Sequence, residues 1–169
     1  MTSGVRALAL LLAVTVSPVG GAASAATQIV QINANVAKPL QLTRIQDLDL
    51  GTVTLKPGAW SGATVSITNG GTFACTNINV VCSGAPKQAM YNLQGTNKTV
   101  VKITAPSVTL VNQADASKTL TLILDSPGTV TLTSSGVPGN DFGIGGSVTL
   151  NSAAADGTYA GTLNVTVDF

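Results

Sequence analysis

The stretch GTYAGTLNVTVDF, residues 157–169, decides how this chain folds. Its odd positions are Tyr159, Gly161, Leu163, Val165, Val167 and Phe169; its even positions are Thr158, Ala160, Thr162, Asn164, Thr166 and Asp168. Alternation of period two over such a length predicts a β-strand with one apolar and one polar face. Left at a sheet edge, an apolar strand of this kind is a template for pairing with another chain.

A second stretch of the same character stands near the other end. Val30, Ile32, Ala34 and Val36 alternate with Gln31, Asn33 and Asn35, and the pattern runs on through Lys38, Leu40 and Leu42. Lys38-Pro39 interrupts it, because proline fits a strand only at an edge, a bulge or a bend. Between the two ends lie further short alternating runs. DLDLGTVTL (47–55) predicts a strand with a bulge at Gly51, and ATVSIT (63–68) another. Residues 88–94, 99–104, 107–112, 119–125, 129–133 and 142–151 follow, separated by turn-forming pieces such as GTN, DSPG, SSGVPGND and AAADG. Roughly eleven short strands at this spacing predict an antiparallel β-sandwich or barrel and no α/β alternation.

Composition agrees. The 169 residues contain no His and no Glu, and Thr, Val, Gly, Ser, Asn and Leu dominate. Thr and Val suit strands, while Gly and Asn suit turns. Residues 1–25 read as a signal peptide: Arg6, then the apolar run ALALLLAVTV (7–16), then Ala23-Ser24-Ala25 as the small-x-small cleavage pattern. The run of about ten residues is too short to span a bilayer, which takes about 20. Residues 26–169 are then one exported domain, with 26–37 as a candidate donor-strand segment. Without Arg6, the seven remaining Lys and Arg balance seven Asp, a net charge of zero. Neither nucleic acid nor a membrane surface is an electrostatically favoured partner of such a domain, and no transmembrane helix is expected.

In an exported chain, Cys75 and Cys82 predict a disulfide. In ACTNINVVC, a turn at Ile78-Asn79 would set Cys75 directly opposite Cys82 in one hairpin, and the loop closed is worth about 2.5 kcal/mol in the chain-entropy model. Catalytic chemistry has little to draw on. Without His or Glu, the candidate bases are Asp and Lys. Asp47 and Asp49 would share one strand face and form a carboxylate pair, but they are the polar beat between Leu48 and Leu50, so a solvated face is the reading. Asp125, Asp141 and Asp156 sit in turn sequence. No enzyme activity, cofactor or metal site is expected. Trp60, in PGAWSG, is the one aromatic placed to stack on a sugar.

Several phrases resemble one family. INANVAKPLQLTRIQDLDLGTV (32–53) resembles the opening, and DFGIGGSVTLNSAAADGTYAGTLNVTVDF (141–169) the close, of secreted bacterial domains catalogued only as of unknown function. MYNLQGTNKTVVKITAPSVTL (90–110) is a weaker match. That family is similar to pilin subunits of chaperone–usher fimbriae and to spore-coat-U-like proteins. The resemblance implies an immunoglobulin-like (pilin-like) sandwich that lacks one strand. It also implies that Tyr159, Gly161, Leu163, Val165, Val167 and Phe169 pair with a periplasmic chaperone or a neighbouring subunit, while Val30, Ile32, Ala34 and Val36 form a donor strand. The expected function is a structural subunit, exported to the periplasm and then the cell surface or beyond. Its expected partners are copies of itself or related subunits, with a chaperone and an usher assisting. The alternatives are a small eight-stranded outer-membrane barrel, whose closing strand also ends in Phe, and an adhesive or glycan-binding module working through Trp60.

Overall fold

The computed structural model describes residues 31 and 33–169. The expected signal peptide, and Val30 and Ile32 of the candidate donor strand, lie outside the described residues. Ala34 and Val36 lie within them and belong to no strand, and Val36 is 84% exposed. Val36–Phe169 form one compact unit.

Its strands are β1 (Gln41–Gln46), β2 (Thr52–Leu55), β3 (Ala63–Ile67), β4 (Phe73–Ala74), β5 (Val80–Ser83), β6 (Ala89–Gln94) and β7 (Val100–Thr104), followed by β8 (Val108–Asn112), β9 (Thr119–Asp125), β10 (Thr129–Thr131), β11 (Asn140–Leu150), β12 (Tyr159–Ala160) and β13 (Thr166–Asp168). No helix occurs among the described residues. Every strand pair is antiparallel. One layer of the sandwich is an eight-stranded sheet in the order β1-β6-β11-β9-β8-β12, with β3 joined to β11 and β4 to β3. The facing layer is in two pieces, a three-stranded sheet β10-β7-β13 and a two-stranded ribbon β2-β5.

Alternation places the core. Tyr91, Leu93, Phe142 and Ile144 of the large sheet pack against Val101, Ile103 and Leu132, with Leu163, Val165 and Val167 at the margin. A second cluster joins Val65, Leu122 and Val148 to Val80 of the ribbon. Tyr91 and Phe142 are paired across β6 and β11, their rings stacked 5.7 Å apart. The apolar side chains thus point into the space between two sheets, whereas a membrane barrel would turn them outward from a single closed one.

Strand β11 carries the architecture. Its first half pairs with β6, its second with β3 on the same side, and β9 lies along its other edge. Glycine makes this possible at one point in particular. A Cβ on Gly145 would run into the Ile67 carbonyl oxygen and the Thr68 main chain, so only a bare backbone lets β3 end against β11.

Two expectations are corrected. The cysteines do form a disulfide, Cys75–Cys82, but not within one hairpin. The turn at Ile78-Asn79 is present, yet β4 pairs with β3 while β5 pairs with β2. Cys82 lies opposite Val53, so the bond ties one sheet to another. The ribbon wins because β2 offers β5 a four-residue ladder with apolar inward positions, which the short piece after β4 cannot match. The closing stretch is likewise not one continuous strand. Tyr159 and Ala160 pair with β8 in the large sheet, and Thr166–Asp168 pair with β7 in the facing one. The chain must cross from layer to layer between them, so residues 161–165 pair with no strand among the described residues.

Replacing Gly145 with Ala should cost about 1–3 kcal/mol through overpacking against β3. Ile123→Thr, at a side chain 61% exposed, should stay within about 0.5 kcal/mol. Urea unfolding midpoints at unchanged slope test both.

Candidate functional site

The split in the facing layer leaves an open groove of about 1130 Å³. One wall is the chain from Leu48 through β2 to Leu55; the other is the stretch from Ala154 to Leu163 that precedes β13. The floor is the inner face of the large sheet, with Val65, Leu110, Leu120, Leu122 and Val148. Val65, Leu122 and Val148 of the floor are buried, but in a closed sandwich the rest of the lining would be covered too. Here Leu48, Leu50, Val53, Leu55, Leu110, Leu120 and Leu163 are only half-buried. Seven residue steps at about 3.3 Å make the groove about 23 Å long, room for one strand.

Both walls present main-chain edges. Among the described residues β2 pairs only with β5, and 161–165 have no ladder partner. Their N–H and C=O groups along the groove are therefore available, which is the strand-templating condition noted for residues 157–169. Of the six side chains expected to take part in pairing, Tyr159, Leu163, Val165 and Val167 turn inward and are half-buried. Gly161 lies on the wall, where a Cβ would meet Val108 and Leu110 at 2.8 and 2.9 Å. Phe169 does not join them; it is 78% exposed beyond β13.

Polar side chains position the second wall. Asn112 is buried, yet its amide donates to the Asp156 carbonyl at 2.8 Å and accepts from the N–H groups of Ala114 and Asp115. Gly157, with φ +131°, packs so tightly on that amide that no Cβ fits. The Tyr159 hydroxyl donates to the Ala155 carbonyl at 2.9 Å. Together these bonds fix where the chain leaves the large sheet, and hence where the wall starts.

Charge is confined to the rim. Arg44 and Asp47 form an ion pair of 2.8 Å at one mouth, with both side chains mostly exposed, a geometry worth under about 1 kcal/mol. Asp49 accepts from the Gly51 N–H in a local turn, so Asp47 and Asp49 do not act as a pair. Asp125 accepts from the Asn69 N–H and Asp141 from Asn92, both structural roles. Among the described residues no group of three or more His, Cys, Asp or Glu side chains gathers to hold a metal. Trp60 is no exposed platform: its indole N–H donates to the Lys56 carbonyl, and its ring packs on the second core cluster.

Sequence reading identified the closing strand but missed the opposite wall and the floor. Their alternation was visible in DLDLGTVTL and TLTLILD, but nothing in either stretch says that its apolar face is left half-covered.

Tyr91 lines the mouth beside Arg44 and Asp47. Burial pushes its phenol above the ordinary 10.0, Arg44 pulls it back and Asp47 adds a small upward push. The folded state therefore keeps this proton longer than the unfolded chain does. The stability it contributes is complete below pH 10 and is lost as pH rises through the folded value. Thermal midpoints should fall above pH 10, and Tyr91→Phe should flatten that part of the fall.

Compared with known proteins, residues 40–169 match the family described as "Domain of unknown function (DUF4402)". No curated protein matches, and no solved structure matches.

Proposed function

The chain belongs to the DUF4402 family, whose function is unknown, and we propose that it is a non-catalytic structural subunit that assembles at the cell surface by β-strand complementation. The observation that carries this is the groove with an apolar floor and an open main-chain edge on each side. An aliphatic ligand would cover the floor but strand the edge N–H and C=O groups without water, at about 1–3 kcal/mol for each buried group left unsatisfied. A β-strand satisfies both, pairing with each edge while its alternate side chains fill the floor. The missing strand is the one expected of an immunoglobulin-like, pilin-like sandwich.

The donor is the segment with Val30, Ile32, Ala34 and Val36, and chain length makes it a neighbour's. Lys38 is held at the far end of β1: its N–H donates to Thr96 Oγ1 at 2.7 Å and its ammonium to the Ser135 carbonyl. The groove begins at Arg44, six residues along, about 20 Å away at strand rise. Val36 is two residues from Lys38 and reaches no more than about 7 Å, and Ala34 about 14 Å. The four donor positions cannot all occupy their own groove, but they can enter that of a second copy. Such head-to-tail contacts do not close and give open chains. Export, a periplasmic chaperone that caps the groove and an usher complete the reading.

The full chain should form a ladder of species that survive unheated detergent gels. Val30→Asp with Ile32→Asp should collapse it to monomer. Wild-type monomers at every concentration would sink the proposal.

A further inference from the structure

Wall β2 is a weak point of the groove. Among the described residues it hydrogen-bonds to β5 alone, through Thr52–Ser83, Val53–Cys82, Thr54–Val81 and Leu55–Val80. Past both ends the same two chain segments stay bonded to each other, as the Asp49–Lys87 bridge and the Lys56 N–H to the Asn79 carbonyl. No ladder joins this ribbon to either of the other two sheets. Among the described residues, its Lys56 end is tied through Trp60, whose indole N–H donates to the Lys56 carbonyl and whose main chain bonds Ser152 just after β11. Its middle is linked to the large sheet, apart from side-chain packing, by the bond from Cys82 in β5 to Cys75, the residue after β4.

We infer that the Cys75–Cys82 disulfide is a positioning element for strand capture, so that the groove accepts its strand only in the oxidised chain. This rests on the strand-complementation reading above and adds a condition to it. An incoming strand must meet both walls at ladder spacing at once, about 4.8 Å from each. The wall at 161–165 is set by β12 and β13, which hydrogen-bond to β8 and β7. The wall at β2 has no such support, and the disulfide supplies it at the residue opposite Val53, midway along the ribbon. Without the bond, the ribbon still packs through Val53, Leu55 and Val80 and is tied near its ends, but its middle loses its fixed distance from the large sheet. A strand would then have to order the wall as it binds, which weakens binding.

Oxidation supplies a compartment check. The two thiols close by exchange with a disulfide oxidant, which takes up two electrons and two protons and leaves as a dithiol. Disulfides persist outside the reducing cytosol, so a chain still inside the cell carries a donor segment but a groove unfit to take one.

The test uses the full chain carrying Val30→Asp and Ile32→Asp, which leaves the groove free, and a labelled synthetic peptide of residues 27–37 as probe. The oxidised chain should bind it. Cys75→Ser with Cys82→Ser, and separately Cys75→Ala with Cys82→Val to keep the apolar packing, should bind at least tenfold more weakly with faster dissociation. Amide exchange should quicken at 52–55 and stay unchanged at 140–150. Peptide affinity within threefold of the oxidised chain overturns the inference and leaves the strand-capture reading standing. Quickened exchange at 140–150 in both variants also overturns it, because the bond would then hold the whole fold and not one wall. No binding by the oxidised chain overturns the strand-capture reading itself, and this role with it.

Discussion

Three neighbours hydrogen-bond to β11, and the rest of the sandwich is arranged around that shared strand. An eleven-residue strand can serve two partners on one edge only if they follow one another along it. β6 takes Asn140–Ile144 and β3 takes Gly146–Leu150, and the change of partner falls at Gly145. There the main chain of residues 67 and 68 crosses so near that any side chain would collide. Ile144, fully buried, then locks the first half against the facing layer.

The facing layer has no comparable strand. β7 is flanked by β10 and β13, β2 by β5 alone, and between the two pieces the core is open. The contrast between the two clusters shows the result. Near β7 eight inward side chains are buried, with Leu42, Val130 and Val167 at the margin half-buried. Near β2 Val65, Leu122 and Val148 are buried, but Leu48, Leu50, Val53, Leu55, Leu110 and Leu120 are half-buried. Apolar surface left uncovered forgoes about 25 cal/mol per Å², so the isolated domain lacks stabilisation that one further strand would provide. That makes the open groove more than a surface irregularity. In the strand-complementation proposal, its occupant is specified by length, by alternation and by backbone hydrogen bonding.

Polar groups serve this geometry. Asn112, buried in the large sheet, holds two loops at once and so sets the line along which the closing stretch leaves β12. The aspartates that might have suggested acid–base chemistry instead hold turns, the Asn92 amide or an exposed ion pair. A chain with so few titratable groups spends them on loop placement.

The strands at 63–67, 89–94, 100–104, 108–112 and 119–125 were legible because each alternates clearly and is bounded by turn residues. The cysteine pairing was also legible, since the chain has only two cysteines. By itself the sequence determined that the fold is all-β and, for these five strands, roughly where they lie and which side chains face inward, because period-two alternation is a local property of strand geometry. Tertiary structure alone decided which strands share a sheet. It set the two halves of GTYAGTLNVTVDF in opposite layers, made the disulfide a tie between sheets, and left β2 facing 161–165 across a gap. Those outcomes depend on competition among distant edges for the same hydrogen-bonding partners, and no single stretch of chain encodes the result of that competition.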